Sequence, residues 1–290
     1  MPELPEVETV RIGLQKLLVG HTITGYHVLR EKSFPNELDA ADQFVVGAKV
    51  TQVRRRAKLL LIDLSSKHTL AVHLKMTGQL VYRGAEQFGA GHPSDSLVDK
   101  LPDNTTRVVL DLDRQAKLYF NDQRVFGWVK LVPTPEVGEM EFVKKLGPEP
   151  LGKEFTLSEF KQQLSRRKNS RAKAVLLDQS VVAGIGNIYA DEALWAARIH
   201  PETRVSRLSA QKLALLHKSI IEILKAAIRH GGSTDRNYVD AEGNKGSYLG
   251  FARVFRREGL DCPRCGRNII KIRSAGRGTH LCASCQRLSK

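Results

Sequence analysis

Four cysteines lie close together near the end of the chain, in a pattern that is typical of metal binding. Cys262 and Cys265 form a C-x2-C pair, and sixteen residues separate it from the second pair, Cys282 and Cys285. Two thiolates at this spacing on a tight turn can face one tetrahedral ion, so the pattern predicts a four-cysteine Zn²⁺ site. With every ligand position taken by cysteine, the ion is expected to be structural. Two disulfides in a secreted protein are the alternative.

The beginning of the chain could supply a nucleophile and an acid. Met1 precedes a small residue, the situation in which an initiator methionine is commonly removed, and its removal would expose the secondary amine of Pro2. A neutral amine can form an iminium with a carbon electrophile, and an α-amino group with a pKa of about 8 is partly neutral at physiological pH. Glu3 stands beside it and could transfer protons. The alternative is that Pro2 only starts a helix.

The charge of the chain predicts a polyanionic partner. Lysine and arginine number 46 against 31 acidic residues, a net charge of +15. The basic residues cluster, because residues 251–290 hold ten of them with two acids, and the run 161–173 holds no acid. Clustered cations suit phosphate binding, which gains from counterion release. A merely soluble basic surface is the alternative.

No apolar stretch is long enough to span a membrane, and the acidic, proline-bearing start is unlike a secretory signal. We therefore expect a cytoplasmic protein without a membrane partner. Nothing in the sequence points to oligomerisation, so a monomer is expected.

The elements that position these residues follow from the hydrophobic patterning. Apolar residues spaced three and four apart predict a helix over 3–18. Short β-rich runs from 22 to 132 predict a sandwich or barrel, with a loop at 83–105. Helices are predicted at 158–167, 171–177 and 209–230, with Ser209 as the N-cap of the last. Two strands, at 268–272 and 279–281, form a predicted hairpin between the cysteine pairs.

The fold class is accordingly α+β with several domains. The predicted parts are an N-terminal catalytic domain at 1–132, a proline- and glycine-rich linker at 133–150, a helical domain at 151–248 and a zinc module at 249–290.

Motifs along nearly the whole chain resemble the bacterial formamidopyrimidine-DNA glycosylases, the 8-oxoguanine repair enzymes. They begin with the run P-E-L-P-E-V-E-T-V at residues 2–10 and end with G-R-G-T at 276–279. Between these lie Lys58 and the segments 73–78, 121–127, 146–151 and 177–190. The resemblance implies an N-terminal helix, an eight-stranded β-sandwich, a helix–two-turn–helix domain and a zinc finger, with DNA in a positive cleft and the damaged base flipped out.

The resemblance also implies four catalytic residues. Pro2 would attack the sugar C1′ carbon, and Glu3 would protonate the opening sugar ring. Lys58 would contact phosphate and donate a proton in β-elimination, and Arg277 would clamp a phosphate and donate a proton in δ-elimination. Glu6, one helical turn beyond Glu3, would support the terminus. From the residues alone, Glu6 could instead pair with the helix dipole, Lys58 could belong to a solvated basic edge, and Arg277 could be an exposed turn arginine.

A further set of residues would contact DNA. Met76 and Phe126 would fill the gap left by the flipped base, and Arg124 would read the orphaned cytosine. The other expected contacts are His73, Thr105, Lys168, Lys173 and Asn187. From the residues alone, Met76 and Phe126 could equally be core side chains, and His73 could be a core histidine.

Two positions and one loop bear on specificity. Thr105 stands where many relatives carry a DNA-contacting histidine, so a weaker, neutral hydrogen bond is expected there. Val125 replaces a residue that is often basic in the family. The loop 233–247 resembles the loop that covers the flipped base.

The implied function is excision of 8-oxoguanine and formamidopyrimidines from double-stranded DNA, followed by β,δ-elimination at the abasic site. Zn²⁺ would be the one cofactor, and the bacterial nucleoid the place of action. One alternative is an endonuclease VIII-like preference for oxidised pyrimidines, against which Leu4 argues because those enzymes usually have Gly there. The other alternative is a zinc-finger DNA-binding protein without catalysis.

Overall fold

The computed structural model describes residues 1–92, 94–97, 99–233 and 248–288. These residues form two compact units. The first contains Met1–Lys144 together with the short segment 230–233, and the second contains Lys145–Arg229 together with residues 248–288.

The first unit is a β-sandwich with a helix at its N-terminus. Its helices are α1 (Leu4–Leu18), α2 (Leu38–Phe44) and α3 (Glu141–Lys144). Its strands are β1 (Ile23–Val28), β2 (Val50–Arg56), β3 (Leu59–Leu64), β4 (His68–His73), β5 (Gly78–Arg83), β6 (Gln87–Gly91), β7 (Thr106–Leu112), β8 (Lys117–Asp122) and β9 (Trp128–Pro133). Short 3₁₀ turns lie at Glu31–Ser33, Asp95–Leu97 and Thr134–Glu139.

The strands form two antiparallel sheets that enclose one apolar core. The five-stranded sheet has the order β1-β7-β8-β5-β6, and the four-stranded sheet has the order β2-β3-β4-β9. Alternating apolar residues on their inner faces, such as Ile62, Leu70, Leu80 and Leu118, are buried together, as expected for a sandwich. The apolar stripe of α1 joins the same core through Val7, Val10, Leu14 and Leu17, and the predicted helix is confirmed with its first residue at Leu4.

One strand was not predicted. The sequence predicts a loop over 83–105, but β6 lies within that range and pairs with β5. Glycines weakened the strand signal, yet they serve close packing. Gly91 has φ +129°, and a Cβ there would lie 2.5 Å from the carbonyl oxygen of Gly78. With β6, the described part of the sandwich has nine strands, one more than the resemblance implies.

The segment after β9 packs on the sandwich. The sequence predicts a linker at 133–150, but its first part forms a 3₁₀ turn and α3. Val137 is buried against Leu59, Leu61 and Ala71 on the outer face of the four-stranded sheet. Proline and glycine therefore mark a change of direction here, while the apolar side chains between them cover a sheet face.

The second unit combines the helical part and the zinc-binding hairpin. Its helices are α4 (Leu157–Ser165), α5 (Ala172–Leu177), α6 (Asn187–Ala196), α7 (Ala210–Arg229) and α8 (Tyr248–Phe251), with a 3₁₀ turn at Val205–Arg207. Its strands β10 (Ile270–Ser274) and β11 (Arg277–Leu281) form an antiparallel hairpin. Ser209 caps α7 as predicted, since its Oγ accepts the backbone N–H of Lys212 at 3.2 Å.

Helix α6 is the support for the hairpin. The buried carboxylate of Glu192 accepts the backbone N–H groups of Arg253, Val254 and Phe255 at 2.9–3.1 Å. At the end of α6, the guanidinium of Arg264 lies 3.9 Å from the centre of the Trp195 ring and donates to the Trp195 carbonyl at 3.0 Å. These contacts attach the cysteine-bearing segment to the helical part.

Among the described residues, none of the helices has the length and apolar composition that crossing a bilayer would require.

Candidate active site and nucleic-acid interface

The pairing register gathers many of the predicted site residues at one end of the sandwich. In the four-stranded sheet, His73 at the end of β4 pairs with Leu59 and with Trp128. In the five-stranded sheet, Gly78 pairs with Asp122. The connections 74–77 and 123–127 pass from one sheet to the other at this end. Lys58, Met76, Arg124 and Phe126 lie in or beside these connections, and Thr105 immediately precedes β7 at the same end.

The first turn of α1 lies at this end as well. Glu8 accepts the Nε–H of Arg55 at 2.7 Å, which joins the N-terminal half of the helix to the end of β2, just before Lys58. Pro2, Glu3 and Lys58 are all buried. The structure therefore buries a potential amine, a carboxyl group and a lysine at the same end of the sandwich, and a site shielded from water strengthens electrostatic effects.

The basic run before Lys58 is largely neutralised within the unit. Arg55 is paired with Glu8, and Arg54 donates two hydrogen bonds to the carboxylate of Asp63. Lys58 itself is buried. The interpretation of Lys58 as part of a solvated basic edge is therefore wrong for this structure.

Glu6 holds two backbone segments. Its Oε2 accepts the N–H of Glu3 at 2.8 Å, and its Oε1 accepts the N–H of Ser233 at 2.6 Å. Gly232, with φ +83°, leaves room for this carboxylate, because a Cβ there would lie 2.9 Å from Oε1. Glu6 thus fixes the start of α1 against the segment 230–233. The remainder of the predicted loop 233–247 lies outside the described residues.

The connection 123–127 presents an arginine and a phenylalanine. Phe126 is 47% exposed, and the Cζ of Arg124, also an exposed residue, lies 4.8 Å from the centre of its ring. Met76, on the neighbouring connection, is half-buried. Of the two apolar residues, Phe126 is thus a surface residue rather than a core residue, and its exposure suits a wedge between bases.

His73 and Thr105, both expected to contact DNA, are buried in this structure. His73 is only 6% exposed, and burial, followed by the charges of Lys75 and Lys58, lowers its pKa to about 3. Its Nδ1 accepts the N–H of Lys75 at 3.0 Å. The Thr105 hydroxyl is buried and donates to Asp103 at 2.7 Å. His73 thus orders the connection 74–77, and Thr105 orders the segment that precedes β7.

His92 is a residue of this end that the sequence did not indicate. It is half-buried, and burial together with the positive charge of the chain's amino terminus lowers its pKa. A single histidine after a glycine carries no recognisable sequence signal, and only the pairing of β6 with β5 places it there.

Arg277 and Asn187 are neighbours in the second unit. Arg277 is exposed at the start of β11, next to Gly276, which has φ +71°. The side-chain amide of Asn187 donates to the carbonyl of Gly278 at 3.0 Å, so the turn that carries Arg277 rests on the first residue of α6. The N-terminal amides of this helix can bind a phosphate. Lys168, also predicted, is exposed on the loop after α4.

Lys173 is fully buried in the second unit. The sequence predicts a DNA contact, but the residue is 0% exposed. Its ammonium donates to Asp191 and to the Thr279 hydroxyl, both at 2.6 Å, while Asp191 accepts the N–H of His280 at 2.8 Å. A buried lysine requires a charged partner, and Asp191 on α6 provides it. Lys173 therefore joins α5, α6 and the hairpin that carries Arg277.

The four cysteines form a site that fits one Zn²⁺. Their Sγ atoms all lie within 4.8 Å of one another. The distances Cys265–Cys282 and Cys262–Cys285 are 3.5 and 4.0 Å, which is too long for a disulfide, whose sulfurs are about 2.05 Å apart. Thiolates at about 2.3 Å from a tetrahedral ion lie about 3.8 Å apart. The observed separations therefore match zinc ligation, and the disulfide alternative is wrong for this structure.

Fold and site define a DNA-repair enzyme of the glycosylase class, and comparisons with known proteins agree part by part. Residues 1–129 match the formamidopyrimidine-DNA glycosylase N-terminal domain. Residues 146–238 match the H2TH domain of the same enzyme. Residues 259–288 match the zinc finger found in FPG and IleRS.

Whole-chain relatives identify the family. Formamidopyrimidine-DNA glycosylase of Pelotomaculum thermopropionicum is 43% identical over 99% of this chain and all of its own length, and that of Pediococcus pentosaceus is 41% identical over 99% of both chains. The Lactococcus lactis Fpg in complex with an N7-benzyl-Fapy-dG-containing DNA is similar in structure, with a TM-score of 0.86, 35% identity and coverage of 99% of this chain and 100% of that one. The chain belongs to the formamidopyrimidine-DNA glycosylase family.

The burial of His73 predicts a pH dependence of stability. Burial lowers the pKa of His73 to about 3 in the folded chain, whereas an unfolded histidine has a pKa of about 6.5. Between these two pH values the unfolded chain binds a proton at this residue and the folded chain does not. The free energy of unfolding should therefore fall as the pH falls below about 6.5, by up to about 1.4 kcal/mol per pH unit from this residue. His73→Phe keeps a ring and should make the slope between pH 4 and 6, measured by urea unfolding, shallower. Equal slopes would contradict this burial.

The position of Lys173 predicts a structural effect of its loss. Lys173→Met leaves the Asp191 carboxylate buried without its cation, which should lower the free energy of unfolding by about 3–5 kcal/mol. The double variant Lys173→Met/Asp191→Asn removes the uncompensated charge and should recover much of this loss. Urea unfolding of the zinc-loaded protein measures both. Weaker DNA binding with unchanged stability in the single variant would instead indicate a direct DNA contact.

Proposed function

We propose that the protein is a bifunctional DNA glycosylase and abasic-site lyase of base excision repair, which excises oxidised purines and then cleaves the strand. The observation that carries the proposal is the burial of Pro2 and Glu3 at the start of α1 and of Lys58 after β2, on elements that the Glu8–Arg55 pair joins. DNA binding alone does not require a buried acid beside a potential N-terminal amine, nor a buried lysine at the same end of the sandwich. The damaged-DNA ligands of the L. lactis relatives, Fapy-dG and an abasic site, support the same substrate class.

Pro2 is proposed as the nucleophile once Met1 is removed. Its nitrogen lone pair forms a bond to the sugar C1′ carbon as the glycosidic bond breaks, and the base leaves with the bonding electrons and takes up a proton. Glu3 donates a proton to the sugar ring oxygen, so the ring opens and the nitrogen becomes an iminium. The iminium acidifies the C2′ hydrogen, whose loss expels the 3′ phosphate in β-elimination. A second elimination expels the 5′ phosphate, and water then releases Pro2.

Lys58 and Arg277 are proposed as the phosphate contacts of the two eliminations. Lys58 would protonate the group that leaves in β-elimination, and Arg277 would do so in δ-elimination. Arg277 is exposed on a turn with a glycine on either side, which permits a close approach of the backbone to a phosphate. Glu6 orders the terminus through the N–H of Glu3, and is proposed as a supporting residue.

The DNA contacts are proposed on the same basis. Met76, Arg124 and Phe126 would replace the extruded base in the helix, with Arg124 contacting the opposite cytosine. Lys168 and the N-terminal amides of α6 at Asn187 would bind backbone phosphates. The buried residues His73, Thr105 and Lys173 are proposed to support DNA binding by ordering the segments around them. Cys262, Cys265, Cys282 and Cys285 would bind one Zn²⁺, which supplies folding energy to the hairpin.

Oxidised pyrimidines are a second candidate substrate class. One structure of the L. lactis enzyme is a complex with an oxidized pyrimidine containing DNA. A panel of lesions, including oxidised pyrimidines, would rank the two classes. Because its substrate is proposed to be chromosomal DNA, the protein is proposed to act at the bacterial nucleoid in the cytoplasm. It is proposed to act as a monomer.

Borohydride trapping tests the proposed nucleophile. The protein, with its N-terminus verified by mass, is incubated with a duplex that contains 8-oxoguanine opposite cytosine, and borohydride reduces any iminium to a permanent cross-link. The wild type should be trapped and should cleave the strand. Pro2→Gly, and a chain extended before Pro2 so that its nitrogen is an amide, should bind the duplex without strand cleavage.

Pro5→Ala is the matched control, since it changes a buried proline of the same helical turn that has no free amine. Unimpaired cleavage by the extended chain would show that Pro2 is not the nucleophile. Absence of trapping by a wild type that binds the duplex, with oxidised pyrimidines and abasic sites also negative, would indicate a binding protein without catalysis.

A further inference from the structure

Asp122 is a buried carboxylate that faces the connection 123–127. It ends β8, is 0% exposed, and its Oδ2 accepts the backbone N–H groups of Phe126 at 2.8 Å and Gly127 at 2.6 Å. Its Oδ1 accepts the N–H of Arg124 at 3.2 Å. One side chain therefore satisfies three of the five amides of this connection, which has no partner strand to do so.

The same carboxylate reaches the other connection through Thr77. The Thr77 hydroxyl donates to Asp122 and also accepts the N–H of Arg124 at 3.0 Å. Thr77 directly follows Met76 and precedes β5. The pair Asp122 and Thr77 thus ties the connection 74–77 to the connection 123–127, and we call it the Asp122–Thr77 clamp.

Each connection contains a residue in the left-handed backbone conformation, which residues other than glycine rarely adopt. Val125 has φ +56° and Lys75 has φ +48°, and the left-handed region is especially unfavourable for a β-branched residue such as valine. Gly127 is also closely confined, because a Cβ there would lie 2.7 Å from the Phe120 ring and 3.0 Å from the His73 carbonyl. Backbone strain of this kind persists only where surrounding contacts fix it. The clamp supplies such contacts to the connection 123–127, and the bond from the Lys75 N–H to His73 supplies one to the connection 74–77.

The result of the strain is the exposure of Arg124 and Phe126 together. The left-handed residue between them turns the chain so that the guanidinium lies over the exposed ring at 4.8 Å from its centre. Met76 stands on the connection that Thr77 anchors. These three are the residues that would enter the DNA helix.

We infer that Asp122 and Thr77 are positioning residues for base extrusion, which hold Met76, Arg124 and Phe126 in the geometry that replaces a flipped base. This inference rests on the proposed function, since it assigns a purpose to the exposed side chains. Neither Asp122 nor Thr77 needs to touch the DNA. Their loss should impair the steps that need an extruded base more than the chemistry at a sugar that has lost its base.

The test compares two reactions of each variant on two duplexes that differ only at the lesion. Excision of 8-oxoguanine opposite cytosine requires extrusion of a stacked base, whereas strand cleavage at a preformed abasic site does not. Asp122→Asn keeps the shape but places an NH2 group against N–H donors. Misplacement of a positioned group by about 1 Å can cost about 100-fold in rate, so we expect single-turnover excision to fall about 10- to 100-fold, with abasic-site cleavage within about threefold of the wild type.

Matched variants separate positioning from folding. Thr77→Ser keeps the hydroxyl and should retain excision, whereas the isosteric Thr77→Val should lose it. If Asp122→Asn does not fold, this pair of variants tests the positioning role. Asp63→Asn changes another buried carboxylate, at the opposite end of β3 from Lys58, and should leave the ratio of the two reactions unchanged. A 2-aminopurine beside the lesion reports extrusion directly, and its fluorescence change should be reduced in Asp122→Asn.

The outcomes are distinguishable. Equal losses of excision and abasic-site cleavage in folded Thr77→Val, or no loss of either, would overturn the positioning role. A wild type that carries out neither reaction would instead overturn the proposed function on which the inference rests.

Discussion

Buried carboxylates that accept backbone N–H groups are the interaction on which the rest of this structure depends. Glu6, Asp122, Asp191 and Glu192 are at most 5% exposed. Glu6, Asp122 and Glu192 each accept backbone N–H groups of segments outside the regular helices and strands. Asp191 accepts the N–H of His280 in the hairpin of β10 and β11. An unsatisfied buried amide is costly, and a carboxylate can satisfy several at once. Charge-assisted bonds of this kind are stronger than neutral ones, so irregular segments acquire fixed conformations.

The buried acids contribute to the order of the chain, while exposed cations contribute to its charge. A chain with a net charge of +15 keeps several of its acidic side chains inside, where they order the backbone. Cations such as Arg124, Lys168 and Arg277 remain exposed. A basic surface attracts a polyanion, and buried carboxylates hold the connection that carries Arg124 and the hairpin that carries Arg277. Preorganised groups act on a ligand without a further cost of ordering, which suits an enzyme that must extrude a base and then perform chemistry on its sugar.

Much of the fold and part of the site could be predicted from the sequence. The helical stripe of α1, the cap at Ser209 and the cysteine spacing are local signals, and all three are confirmed. Strand β6 was missed because its glycines serve close packing, which has no local signature. The inward orientation of Lys173 was missed because burial of a lysine depends on Asp191, eighteen residues away. Sequence motifs identify residue types, while burial is decided by partners that only the tertiary structure brings together.

Amide hydrogen exchange tests the central role of the buried carboxylates most directly. The N–H groups of Glu3, Phe126, Gly127, Val254 and Phe255 are bonded to carboxylates rather than to a strand partner. If the carboxylates fix these segments, site-resolved exchange in the zinc-loaded protein should show them protected to the level of neighbouring strand amides, because they open only with the surrounding core. Exchange at the rate of unstructured peptide at these positions would contradict the account, since the segments would then be ordered only by a ligand.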